Sequence, residues 1–288
     1  LGVAAGFIFI IYLRLLFDRK GEKHKKCDRK SSGGNMESGL QTEFQRKWRA
    51  YFQGSELPLV FFYSDDDRYA THLQPLEGHL CMIAQLGIAN RGETLSFSKD
   101  TIGCSGGVRY SGFSTKLSVN FKYFLSCGIP GKLEGERYKK TPQLVEQYVR
   151  DMPVPRAEGR FLVFKRWDCV EAEEDPEAAV FLGNPDTISG LFTLANFRTL
   201  DQLAVITPFC SGCGSIISYP LAERDREMQR GIIGMFDVSA RPFVKRHFLS
   251  FSAPMKKIQQ MCEDMDESFL TTDSWKRVSR RMGISQKS

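Results

Sequence analysis

Histidine is scarce in this chain: four stand in 288 positions, and none sits in the H-E-x-x-H spacing of a zinc protease. Walker A and the dinucleotide G-x-G-x-x-G are also missing, which removes the simplest nucleotide-binding readings. GIPGK at 128–132 has glycine and lysine without the P-loop spacing or the following Ser or Thr, and it reads as a loop. Charge is scarce too once its position is considered. Of the formal +6, residues 1–35 carry 8 Lys or Arg against 3 Asp or Glu, which leaves 32 basic and 31 acidic side chains in residues 36–288. Bulk charge therefore advertises no nucleic-acid surface, and no nucleic-acid partner is expected. With 12 Pro and 25 Gly the chain is neither collagen-like nor low-complexity, and 42% hydrophobic residues supply a real core.

A single apolar run approaches membrane-spanning length. Leu1–Phe17 is apolar apart from Tyr12 and Arg14, and the basic DRKGEKHKK follows it. This is the lower limit of a spanning helix, with Arg14 obliged to snorkel, and the positive-inside rule would hold the basic flank in the cytoplasm. Three readings compete: a membrane anchor carrying a cytoplasmic body, a leader outside the functional polypeptide, and a buried or interfacial helix. The second is motivated by Met36, which follows the loop-like KSSGGN and would serve as a start. A signal peptide fits poorly, because the charges follow the apolar run. Residues 1–35 are thus an anchor with a basic linker, or a nonfunctional leader, and residues 36–288 a single compact body.

Periodicity in the body predicts a mixture of layers. LQTEFQRKWRAYF (40–52) spaces its apolar residues as an amphipathic helix, and LPLVFFY (57–63) reads as a buried strand. Helices are expected near 76–89, 221–229, 239–246, 254–265 and 272–280, and strands at 118–125 and 161–167. AAVFLGNPD predicts a strand, a turn at Asn184 and Pro185, and a helix opening at Asp186 or Thr187. The charged stretch 170–177 reads as solvated surface, and Asp65–Asp67 as a solvated turn or a weak Mg²⁺ candidate. The fold class is therefore α/β or α+β, a mixed sheet with flanking helices.

An internal echo suggests two related halves, near 55–130 and 160–235. At an offset of 106 residues, ANRGETLSFSKDTIGCSGG and ANFRTLDQLAVITPFCSGC agree at Ala89/Ala195, Asn90/Asn196, Thr101/Thr207, Cys104/Cys210, Ser105/Ser211 and Gly106/Gly212. A duplication would place Cys104 and Cys210 in equivalent turns. Gly106, Gly107 and Gly212 would let those turns adopt positive φ and aim backbone N–H groups inward, a nest for a thiolate, an anion or cluster sulfide. A tight turn with a buried cysteine is the plain alternative.

Eight cysteines stand in the chain. A disulfide framework is not expected, given the length and a reducing compartment. Cys210 and Cys213 form one C-x-x-C; with Cys104, and Cys81 or Cys127 as a fourth thiolate, they would bind an iron–sulfur cluster or zinc. Thioredoxin-like chemistry is disfavoured, because Gly214, Ser215 and the β-prone IISY follow the pair rather than an evident helix. Cys169 and Cys262 read as buried small hydrophobes. Of the histidines, His72 and His79 are each candidates as proton donor or ligand, with His79 the accessory residue for the cysteine site, and His247 reads as ordinary surface or helix end.

YSDD at Tyr63–Asp66, HLC at His79–Cys81, IGCSGG at Ile102–Gly107, VFLGNPD at Val180–Asp186 with LFTLANF after it, and CSGCGS together resemble the family called domain of unknown function 169, over roughly residues 55–280. The resemblance implies that Cys81 and Cys104 are family-like cysteines and that the Cys210 turn falls in a glycine- and cysteine-containing segment; Cys213 is less typical. The family looks common in archaea and anaerobic bacteria, a setting that accommodates an oxygen-sensitive centre.

Three functions follow as expectations. The first is a redox protein with an iron–sulfur or other metal centre on Cys81, Cys104, Cys210 and Cys213, and with a redox partner or small molecule. The second is a ligand-binding or regulatory module whose cleft is lined by Asn184, Asp186 and the Cys-Gly turns. The third is a cysteine-dependent enzyme with Cys104 as nucleophile and His79 as base.

Overall fold

The structure, a computed structural model, describes residues 36–73 and 81–284. The described residues fall in one compact unit. A seven-stranded mixed sheet forms its middle layer: β1 (Leu59–Ser64), β2 (Leu95–Phe97), β3 (Phe161–Arg166), β4 (Ala178–Gly183), β5 (Val205–Ile206), β6 (Gly231–Gly234) and β7 (Leu249–Pro254). The spatial order is β2-β3-β1-β4-β7-β6-β5. β5 and β6 pair in parallel; the other neighbours are antiparallel.

Both faces of the sheet are covered, which is why its central strands read as continuous apolar runs rather than as alternations. Against one face lie Val60, Ala179, Phe181, Phe251 and Ala253. That face is packed by α1 (Met36–Tyr51), α6 (Pro185–Ala195), α8 (Met255–Asp264) and α9 (Asp273–Ile284). α1 presents Phe44, Trp48 and then Phe52 at four-residue spacing; the Trp48 and Phe52 rings stack 4.2 Å apart. The other face carries Leu59, Phe61, Leu95, Phe97, Leu162, Phe164 and Val180. It packs against α2 (Leu86–Asn90), α3 (Ser105–Tyr110) and the segment leading into α7 (Tyr219–Arg224), through Met82, Ile83, Tyr110, Cys213, Ile216 and Ile217. The cysteine turns belong to this second layer.

Several expectations are corrected. Residues 118–125 form no strand; the short helix α4 (Phe121–Phe124) stands there, with Phe124 N donating to Asn120 O at 2.9 Å and Leu125 N to Phe121 O at 3.0 Å, because no neighbouring strand offers a ladder. Residues 239–246 make a single 3₁₀ turn, Arg241–Phe243, and the helix expected at 221–229 ends at Arg224, having begun well upstream. The helix expected at 76–89 begins with a 3₁₀ turn at Met82; residues 74–80, including His79, lie outside the described residues.

The stretch 170–177 is not uniformly solvated. Glu174 is buried and accepts from the Lys165 ammonium, the Tyr69 hydroxyl and the Glu171 amide (2.8 Å). Sequence charge alone does not reveal that a lysine from β3 waits beneath it.

The expectation of a membrane-anchored chain is also corrected. Among the described residues no helix is long and apolar enough to cross a membrane. Leu1–Phe17, on which that expectation rested, lies outside the described residues.

Candidate functional site

Three separate segments deliver thiols to the same layer. Cys81 is the residue from which the 3₁₀ turn Met82–Gln85 starts, running on into α2. Cys104 caps α3: its sulfur accepts from the Gly107 amide at 3.0 Å. Cys210 and Cys213 flank Ser211, whose hydroxyl accepts from Gly214 N at 3.1 Å and so caps the third helical start.

The third start overturns a sequence expectation. Gly212 and Cys213 are helical and lead through a π-helical turn, Gly214–Ser218, into α7. The C-x-x-C pair therefore does open a helix. The β-prone Ile216 and Ile217 are helical because both are fully buried against the second face, and burial outweighs local propensity. A π turn inserts an extra residue and is frequent at functional sites.

The glycines act differently from the expectation as well. Gly106, Gly107 and Gly212 are not among the positive-φ residues. Gly107 and Gly212 are needed for close approach. A Cβ on Gly107 would stand 2.8 Å from Ile102 Cγ2 and 3.3 Å from Cys104 Sγ; one on Gly212 would stand 3.1 Å from Ile83 Cγ1 and 3.2 Å from Met235 Sδ. Gly106 is looser, at 3.4 Å from the Phe121 ring. The Gly212 amide donates to Asp237 Oδ2 at 3.3 Å.

Cys81, Cys104 and Cys213 shape one another's chemistry. Cys213 is buried and in contact with Cys81; that contact, aided by the Ile83 and Ala84 amides, lowers the Cys81 pKa although burial opposes it. Cys213 is pushed well up by the same contact, by burial, and by the charges of Cys81, Cys104 and Asp237. Burial raises Cys104 against the help of Gly107 N. Burial, with Asp237 beside it, pushes Cys210 up to about 12. Tyr110, Tyr148 and Tyr219 also feel Cys210, and burial raises the pKa of each. The groups gathered here are thus thiols and one carboxylate, a soft donor set in which raised pKa values keep Cys104, Cys210 and Cys213 protonated in the metal-free chain.

The residue types suit a thiophilic metal or cluster. Among the described residues, however, no group of three or more His, Cys, Asp or Glu side chains is arranged to hold a metal ion. No disulfide joins the seven described cysteines.

Other candidates sit elsewhere. Cys127 is exposed, in a separate concavity. Asn184 caps α6, accepting from Thr187 N at 3.0 Å, and Asp186 pairs with Arg281; both stand at the start of α6, which packs against the opposite face of the sheet from the cysteine turns. Asp65 and Asp67 are taken up by Arg160. His72 is exposed, its pKa lowered by desolvation and by Lys165; Cys169 lies beside Asp168, and Cys262 is buried in the first layer. Cys104 has neither a described histidine partner nor a lowered pKa, so the nucleophile expected there finds no support, and His79 lies outside the described residues.

Sequence reasoning missed Asp237 and the tyrosines. Asp237 follows Met235, whose left-handed φ of 65° is unusual for a non-glycine residue and turns the chain after β6; methionine gives no sign of it. Also missed was G-x-S-x-G spacing at Gly103–Gly107, but Ser105 opens α3 without positive φ and makes no nucleophile elbow.

Comparison with known proteins returns no matching curated protein and no matching solved structure. The family described as uncharacterised ArCR, domain of unknown function 169, does match, over residues 54–264, a span containing β1–β7 and all four clustered cysteines; the chain belongs to that family.

Proposed function

We propose that the chain is a cysteine-centred redox protein in which Cys81, Cys104, Cys210 and Cys213 bind a soft metal centre, an iron–sulfur cluster ahead of zinc. The observation that carries this reading is the delivery of four thiols, from three helical starts, to one largely buried layer, where Cys81, Cys104 and Cys213 act on one another and Cys210 and Cys213 both face the charge of Asp237. Thiolate ligands select soft metals, and binding one here would displace the protons that these thiols otherwise keep. The cluster form is favoured by the backbone amide aimed at Cys104, since hydrogen bonds to sulfur tune such centres. Closing the set around a centre requires side-chain rotation at the thiols.

Single Cys→Ser substitution at each of the four positions tests the assignment. Metal content per folded chain should drop in all four variants and stay unchanged in Cys169→Ser and Cys262→Ser. Equal metal content in all six variants would reject the site.

The two cysteine turns are further proposed to descend from one ancestral unit. The identities at the 106-residue offset favour this, as does the placement of β2 and β5 at opposite edges, each parallel to the first strand of its own half. An experimental structure in which residues 59–110 and 178–220 fail to superpose would exclude it.

A further inference from the structure

Beyond α4 the chain makes a polar excursion, then folds back on itself. Glu136 N donates to Phe124 O at 2.7 Å, Arg137 N to Ser126 O and Lys139 N to Leu125 O, both at 3.0 Å. The fold-back creates a concavity of about 290 Å³ lined by Ser126, Cys127, Arg137, Lys139 and Lys140.

Its electrostatics are one-sided. Three of the five lining side chains are cations, and among the described residues none of the three has a carboxylate partner, whereas Lys122 on the neighbouring turn pairs with Glu146 at 2.6 Å. The Lys139 ammonium rests instead over the rings of Phe209 (4.1 Å) and Tyr148 (5.1 Å). Glu134 and Glu136 lie on the same excursion but do not line the concavity.

Arg137 adds an independent sign. Its φ of 56° is left-handed, a conformation that costs a side-chain-bearing residue energy and that clusters at binding sites. Three gathered like charges repel, and an oxyanion among them relieves that repulsion while offering charge-assisted hydrogen bonds.

We propose that this concavity binds the oxyanion group of a small molecule, a phosphate ester or a carboxylate, with Arg137, Lys139 and Lys140 as its counter-ions. The inference does not rest on the metal reading of the four-thiol site. Cys127, exposed on the wall, serves as a local reporter.

The test follows alkylation of Cys127 by neutral iodoacetamide in the full chain, read by peptide mass spectrometry, while inorganic phosphate or succinate is titrated at constant ionic strength. Saturable slowing at Cys127 alone is expected. Arg137→Gly keeps the backbone conformation and removes the charge; it and Lys140→Gln should each weaken half-saturation by about tenfold, without changing metal content. Protection by phosphate alone assigns a phosphate ester, and protection by succinate alone a carboxylate. No saturable protection by either, or protection unaltered in both variants, overturns the proposal.

Discussion

Cys81 and Cys213 shift one another in opposite directions: the contact with Cys213 lowers the Cys81 pKa, and the same contact, with burial, raises that of Cys213. The asymmetry singles out Cys81 in the metal-free chain. Its alkylation should begin at lower pH than that of Cys104 or Cys210, and Cys213→Ala should move the Cys81 profile upward by removing the contact that lowers it. Peptide mass spectrometry across pH checks both statements; Cys81 titrating together with Cys104 would contradict them.

The remaining thiols set the sign of the pH dependence of stability. Cys104 and Cys213 have raised pKa values, Cys210 is pushed to about 12 and Cys262 to about 11, chiefly by burial except at Cys213, where the contact with Cys81 comes first. Unfolded thiols ionise near about 8.5, so above that pH the unfolded chain releases protons the folded chain keeps, and unfolding is favoured. The lowered pKa of Cys81 acts the other way, one group against four. The metal-free chain should therefore lose urea resistance as pH rises from about 8.5 toward 11. A metal-loaded chain holds its ligands as thiolates and should instead lose resistance on acidification, as protons compete for the sulfurs. Denaturation midpoints across pH separate the two signs.

Much of the architecture is legible in the sequence. Val60–Phe62, Phe161–Phe164 and Ala178–Val180 read as strands because they are buried on both faces, and the Asn184–Pro185 pair marks the start of α6. Residues 118–125 mislead, since an apolar alternation cannot say whether a sheet edge is within reach. The cysteine turns are equally legible as chemistry. Their neighbours are not: Asp237, Tyr110, Tyr148 and Tyr219 come from four segments and meet only through the fold. The helical start at Gly212 is hidden by the β-branched Ile216 and Ile217.

Glu174 and Lys165 form a buried ion pair that also holds Tyr69. Glu174→Gln leaves the buried Lys165 ammonium with only the half-exposed Glu171 carboxylate, 3.4 Å away, and should cost about 1–3 kcal/mol in urea unfolding. The paired Lys165→Met, Glu174→Leu chain should recover a large part of that loss. A change under about 0.5 kcal/mol for Glu174→Gln would mean that the pair is solvated.

Gly234 on β6 faces the helical segment carrying Cys213: an added Cβ would stand 2.2 Å from Ser215 Cβ. Gly234→Ala should force that π turn away from the sheet, destabilising the chain by about 1–3 kcal/mol and lowering its metal content. Gly131→Ala is the control for an added methyl, since nothing lies within 4 Å of its Cβ, although its φ of 71° adds a backbone penalty. Unchanged stability and metal content in Gly234→Ala would show that the turn yields freely.

The most direct test of the four-thiol account is elemental and acid-labile sulfide analysis of the full chain purified without oxygen, with its visible spectrum recorded on the same sample. The account predicts stoichiometric iron with sulfide and visible charge-transfer absorption, or stoichiometric zinc without either. A folded chain holding neither iron nor zinc, with Cys81, Cys104, Cys210 and Cys213 all open to alkylation after mild unfolding, would contradict it.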